Sequence, residues 1–142
     1  MSRVYWDSML FIYLIEGNPA FGPRVKTIYE EMARRGDTLC TSVFTLGEVL
    51  TGPRKVGAQS VIDRIRSFFL KSGKIELLPF TAESADRYSV IRASTAARSA
   101  DAIHLACAAE SGVELFVTHD KTLHKLTIPG IHFITGLDTS LF

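Results

Sequence analysis

Short apolar runs of strand type recur along this chain, and no two of them adjoin. Helical stretches separate every pair, and that alternation leaves few folds open. Residues 3–6, 38–41, 75–78, 114–117 and 132–134 read as strands. Between them, residues 8–16, 21–35, 43–50, 58–71, 81–96, 100–110 and 121–125 carry helical spacing. The stops are legible: Gly17-Asn18-Pro19, Gly36 after Arg34-Arg35, Gly52-Pro53 and Gly112. Thr81 with Ser84 offers an N-cap to one helix, and Ser99 offers one to the next. Strands separated in this way predict an α/β chain, its sheet mostly parallel, of four to five strands, and covered by helices on both faces. Right-handed crossovers then bring the C-terminal ends of the strands to one edge, where such sheets bind ligands.

Size and composition are compatible with one packed domain over residues 1–142. The hydrophobic fraction is 46% and there are nine Phe. The longest uninterrupted apolar run, Met9 to Ile15, is seven residues, far short of the roughly 20 that span a bilayer. Asp7 also stands too early for a signal peptide. The expectation is a cytoplasmic protein with no membrane partner. The two cysteines, Cys40 and Cys107, sit among apolar neighbours and read as buried free thiols. Net charge is +1, so a polyanionic substrate would have to be held by local charge and bound cations.

Four acids interrupt the apolar segments. Asp7 divides Val4-Tyr5-Trp6 from the run at Met9, and Glu48 lies inside Val43-Phe44-Thr45-Leu46-Gly47-Glu48-Val49-Leu50. Asp101 lies inside Ser99-Ala100-Asp101-Ala102-Ile103-His104-Leu105-Ala106, and Asp120 closes Leu115-Phe116-Val117-Thr118-His119-Asp120. A buried carboxylate is costly unless it is paired, hydrogen-bonded or bound to metal. Asp7 and Asp120 follow the first and fourth strands directly. Asp101 opens a helix about 15 Å long at 1.5 Å per residue, and the strand after it returns over a similar length at about 3.3 Å per residue. Glu48 is one turn into the helix after the second strand. All four meet at one edge if the first, second and fourth strands are neighbours. Unneutralised, two such charges 4 Å apart would repel by about 4 kcal/mol at an effective dielectric of 20. An all-oxygen cluster without thiolate suits the hard cations Mg²⁺ or Mn²⁺. Such a site can hold phosphate oxygens and activate water against a phosphodiester. Taken singly, Asp7, Asp101 and Asp120 can equally be helix caps, and Glu48 a solvated or salt-bridged residue.

The ordered set of Tyr5-Trp6-Asp7-Ser8 with Leu14, Glu48-Val49, the segment from Ser99 to Ala106, and Val117-Thr118-His119-Asp120 resembles the PIN-domain nucleases over nearly the whole chain. In length and spacing it resembles their VapC group, the toxin halves of toxin–antitoxin pairs. The resemblance implies an α/β/α sandwich and a Mg²⁺- or Mn²⁺-dependent endoribonuclease, in which a metal-bound water leaves a 5′-phosphate and a 3′-hydroxyl. It also implies a homodimer inhibited by a VapB-like antitoxin lying across the active-site groove. By position, Asp7, Glu48, Asp101 and Asp120 become the acidic tetrad. Ser8 and Thr118 become the hydroxyls supporting the metal or its waters.

Other residues admit two readings. His104, three residues after Asp101, is either a core or supporting histidine, or else a ligand or an acid/base group. His119 is either a solvated loop residue or a phosphate contact. Arg54, Lys55, Arg98 and Lys121 flank the acidic segments and are candidates for RNA phosphate contacts, or else solvated surface cations. Phe11, Tyr13, Phe21, Phe68 and Phe69 read mostly as core. Two further functions stay open, a housekeeping PIN nuclease acting in RNA processing or on DNA structures and a non-catalytic metal-binding PIN-like module. A receiver-type phospho-acceptor fits less well, because the first strand offers only Asp7.

Overall fold

The computed structural model describes residues 1–138 and 141–142. Of the tail 136–142, to which the sequence assigns no element, residues 139 and 140 lie outside the described residues. The elements run β1 (Arg3–Trp6), α1 (Ser8–Glu16), α2 (Gly22–Arg35), β2 (Thr38–Ser42), α3 (Val43–Lys55), α4 (Gln59–Leu70), β3 (Ile75–Leu78), α5 (Ala82–Ser94), α6 (Ser99–Ser111), β4 (Leu115–Val117) and β5 (Phe133–Thr135). The five strands form one sheet in the order β3-β2-β1-β4-β5, and every pairing is parallel.

Side-chain alternation assigns the two faces. Val4 and Trp6 of β1, with Leu39 and Val117, pack into a core with residues of α1, α2, α3 and α4. Tyr5, Cys40 and Phe116, one residue out of phase, pack instead with α5 and α6. The result is a three-layer α/β/α sandwich. The chain winds outward from β1 to β3 with helices on one face, then crosses back to β4 with helices on the other. The sheet's switch point therefore falls between β1 and β4, whose registered pairs are Val4↔Leu115, Tyr5↔Phe116 and Trp6↔Val117. Ligands bind outside the C-terminal ends of strands at such a point.

Local chemistry explains several element ends. Thr81 accepts from the Ser84 amide while the Ser84 hydroxyl accepts from the Thr81 amide, a complete capping box for α5. Gly17, Gly36 and Gly112 end α1, α2 and α6 in left-handed conformation.

Three details differ from the sequence expectation. Gly52-Pro53 does not break α3, which continues to Lys55. Proline removes one amide donor, and here it does so close to the end of the helix, where little remains to be lost. The helix ends at Lys55 instead, with Gly57 in left-handed conformation just beyond it (φ 64°) and the Ala58 amide bonded to the Pro53 carbonyl at 3.0 Å. Arg98, not Ser99, is the N-cap residue of α6. The Ser99 hydroxyl is engaged by Arg92 and by Tyr88, the latter at 3.0 Å. The expected short helix after Asp120 is a single 3₁₀ turn, Lys121–Leu123.

Cys40 and Cys107 are buried and free, as expected. Burial pushes the Cys107 thiol up to about 11 and that of Cys40 up to about 12, which leaves both unreactive. Among the described residues no helix is long and apolar enough to cross a membrane.

Candidate active site

The condition on which convergence of the acids depended is met: β2, β1 and β4 are consecutive neighbours. Asp7 is the first residue after β1, and its amide extends the ladder to the Val117 carbonyl at 3.3 Å. It is the N-cap residue of α1, yet its side chain makes no capping bond. The Thr118 hydroxyl donates to Asp7 Oδ2 instead. Asp7 is 8% exposed, and its Oδ1 is buried without a hydrogen-bond partner. Among the described residues only Trp6 Nε1 shares that condition. Burial pushes the Asp7 carboxyl above the usual carboxylate range, against the opposing effects of Thr118, His104 and the nearby backbone amides of Met9 and Leu10.

Glu48 lies in the second turn of α3, a helix capped by Ser42. Its Oε1 accepts from the Ser8 hydroxyl and from His104 Nε2, the latter at 2.6 Å. Burial pushes its pKa up, but the bonds from His104 and Ser8 outweigh that and hold it below the usual value. Asp101 sits in the first turn of α6. Its pKa is raised, first by burial and then by the like charge of Asp120, with Arg98 opposing.

Asp120 fulfils the capping role in part, because its Oδ1 accepts from the Thr122 amide at 3.0 Å and the Thr122 hydroxyl at 2.7 Å. These bonds, the hydroxyl first, hold its carboxyl below the usual range. Its Oδ2 faces Arg98 at 3.7 Å, and Arg98 also stands 3.8 Å from Asp101 Oδ2.

Each acid is thus engaged by its own neighbour: Asp7 by Thr118, Glu48 by Ser8 and His104, Asp101 by Arg98, and Asp120 by Thr122 and Arg98. With the side chains so engaged, no three His, Cys, Asp or Glu groups among the described residues gather as a ligand set for a metal ion. The donors nevertheless fit a hard divalent cation in kind. They are all carboxylate oxygens, one of them is buried and unpartnered, and Asp101 and Asp120 repel one another.

The other candidates divide. Arg98 is with the acids. Arg54 and Lys55 are exposed in the last turn of α3, six and seven residues beyond Glu48 and so about 9 Å farther along the helix axis. Lys121 Nζ lies 3.9 Å from Asp138. His119 is half-buried. Its Nδ1 is bonded to the Tyr13 hydroxyl at 2.8 Å, and its ring meets Phe21 edge-on at 4.3 Å. Ser8, expected beside a metal or its waters, is bonded to Glu48. The connection of His104 to Tyr5, through Nδ1 at 2.7 Å, has no counterpart in the sequence expectation. Its only signals are a tyrosine two residues before Asp7 and a histidine one helical turn after Asp101.

A parallel α/β/α sandwich with acidic residues at the ends of neighbouring strands defines the class of architecture. The chain belongs to the PIN domain family, whose profile matches residues 4–128. No curated protein is significantly similar to it in sequence. Among solved structures it is similar to DNA-bound VapBC from Salmonella typhimurium (22% identity, 96% of this chain and 99% of that one, TM-score 0.71). It is also similar to VapBC2 from Rickettsia felis bound to a promoter DNA fragment (18%, 94% and 98%, TM-score 0.71). A third likeness is to Mycobacterium tuberculosis VapC20, described as a sarcin–ricin loop cleaving toxin (15%, 87% and 96%, TM-score 0.69). At these identities the likeness is one of fold.

Proposed function

We propose that this chain is a metal-dependent endoribonuclease of the VapC type, one PIN domain over residues 1–142, acting in the cytoplasm as the toxin of a toxin–antitoxin pair. The observation that carries the proposal is the buried carboxylate of Asp7 at the switch point of the sheet, its Oδ1 unpartnered, with Asp120, Asp101 and Glu48 on the elements around it. Asp7, Asp101, Asp120 and Glu48 are the residues that would hold Mg²⁺ or Mn²⁺. Such an ion, when bound, supplies Lewis acidity to phosphate oxygens and makes water a better nucleophile.

The chain's own residues do the rest. Thr118 fixes Asp7, Ser8 fixes Glu48, and Thr122 fixes Asp120. Arg98, exposed beside Asp101 and Asp120, is the cation best situated to meet an RNA phosphate. Arg54, Lys55 and Lys121 are further candidates for the RNA backbone. The likeness to VapBC complexes supports a VapB-like antitoxin as partner, and the assembly we propose is a homodimer. A groove of about 360 Å³ between α1 and α4, lined by Phe11, Leu14, Ile15 and Phe68, suits an apolar helix face.

The test is cleavage of RNA by the purified protein. Cutting with Mn²⁺ or Mg²⁺, abolished by EDTA and by Asp101→Asn, supports the proposal. Cutting that survives removal of metal refutes the mechanism, and intact RNA in the presence of metal favours a binding module over an enzyme.

A further inference from the structure

The acidic site has a buried support that no step above uses. Tyr5 of β1, His104 of α6 and Glu48 of α3 form a continuous hydrogen-bonded chain, Tyr5 Oη to His104 Nδ1 at 2.7 Å and His104 Nε2 to Glu48 Oε1 at 2.6 Å. His104 is 4% exposed. Its ring is flanked edge-on by Phe44 at 5.3 Å and Tyr5 at 5.8 Å, so its orientation is fixed by packing as well as by bonding.

The proton positions follow from chemistry. A carboxylate only accepts, so the imidazole hydrogen must sit on Nε2. Where that is the ring's one hydrogen, Nδ1 is an acceptor and needs a donor. Tyr5 is completely buried, and burial pushes its phenol well above the ordinary value, so its O–H is retained and donates to Nδ1. That tautomer satisfies both neighbours. The Ser8 hydroxyl donates to the same Glu48 oxygen. Oε1 thus has two donors, and among the described residues Oε2 has none.

We infer that His104 is a positioning residue: by binding Oε1 it holds the Glu48 carboxylate in one orientation, with Oε2 left for a cation shared with the neighbouring acids. The inference rests on the reading of the site as a metal-dependent nuclease. It assigns His104 a task distinct from ligation and from proton transfer. Partners of this kind to ligating groups are worth about 10–100-fold in metal affinity or activity.

The experiment compares His104→Gln with His104→Asn. Glutamine can carry an amide N–H to the place of Nε2, whereas asparagine ends near the place of Nδ1 and cannot reach Glu48. Mn²⁺ is titrated calorimetrically into each protein, with thermal melting as the control for folding. The expected result is a Mn²⁺ affinity near wild type for His104→Gln and about 10–100-fold weaker for His104→Asn, with similar melting temperatures. Equal affinities for the two variants overturn the inference.

A second measurement separates its failure from failure of the nuclease reading. In the wild-type protein the ¹⁵N shifts of His104 should show a protonated Nε2 and an unprotonated Nδ1, and the Nε2 signal should move in Glu48→Gln but not in Asp101→Asn. If wild type binds no Mn²⁺ and this pattern holds, the metal reading fails while the contact stands. An unprotonated Nε2, or one indifferent to Glu48→Gln, overturns the inference whatever the metal does.

Discussion

Thr118, the residue after β4, donates its hydroxyl to Oδ2 of Asp7, the residue after β1. The two strands that flank the switch point are thereby tied together at a carboxylate, not merely by their backbone ladder. The same hydroxyl oxygen accepts from the Asp120 amide at 3.1 Å, so one side chain links two acids of the site. Thr118→Val keeps the shape and removes both bonds. Hydrogen bonds to charged groups contribute about 1.5–3 kcal/mol, and a loss of that size is expected in urea unfolding with EDTA present. A loss under about 0.5 kcal/mol, the usual range of a surface substitution, would mean that the bond does not support Asp7.

The raised pKa of Asp7 has a definite sign in stability. Between the ordinary carboxylate value of about 3.9 and its higher folded value, the folded chain keeps a proton that the unfolded chain has released. Stability therefore falls as pH rises through that window and levels above it. Asp7→Asn does not titrate. In EDTA the stability of Asp7→Asn relative to wild type should increase as pH rises from about 4, then become constant. A difference that is flat with pH contradicts the burial argument for Asp7.

Arg98 is highly exposed, and exposed pairs contribute at most about 1 kcal/mol. Arg98→Gln should hence leave unfolding nearly unchanged. Its effect should appear with RNA, where loss of one phosphate contact lowers the slope of log K against log salt by about 0.7. Filter binding of single-stranded RNA over a salt series checks this. An unchanged slope removes Arg98 from the RNA interface.

Binding of a cation to the folded chain must stabilise it. At a Mn²⁺ concentration 100-fold above its dissociation constant the gain is about 2.7 kcal/mol. Wild type should show it in thermal melting, and Asp101→Asn should lose most of it. Mg²⁺ should act in the same direction. A melting temperature indifferent to both ions contradicts a divalent site.

The alternation of strands and helices, and the places of the acids along it, were legible because they rest on local signals. The spacing of Asp7 after β1 and of Asp120 after β4, and the return of the chain from Gly112, place those residues at one edge whatever the packing details. Side-chain pairings over long separations were not legible. His104 reads as a buried histidine from its neighbours alone, and nothing local says that its partners are Tyr5, 99 residues away, and Glu48, 56 residues away. Ser8 likewise reads as a hydroxyl beside Asp7, but the packing of α1 against α3 brings it to Glu48. Pro53 misled because a proline's penalty depends on where in the helix its missing amide falls, and the true end depends on the left-handed Gly57. Ser99 misled because a hydroxyl at a helix start has competing partners, here Tyr88 and Arg92.

Diffraction from crystals soaked in Mn²⁺, recorded for the anomalous signal of manganese, is the most direct test of the central claim. A peak against the carboxylates of Asp7, Asp101 and Asp120, with Glu48 beside them and Arg98 displaced, is the predicted result. Carboxylates that keep the partners described above, with no manganese among them at saturating concentration, would contradict it.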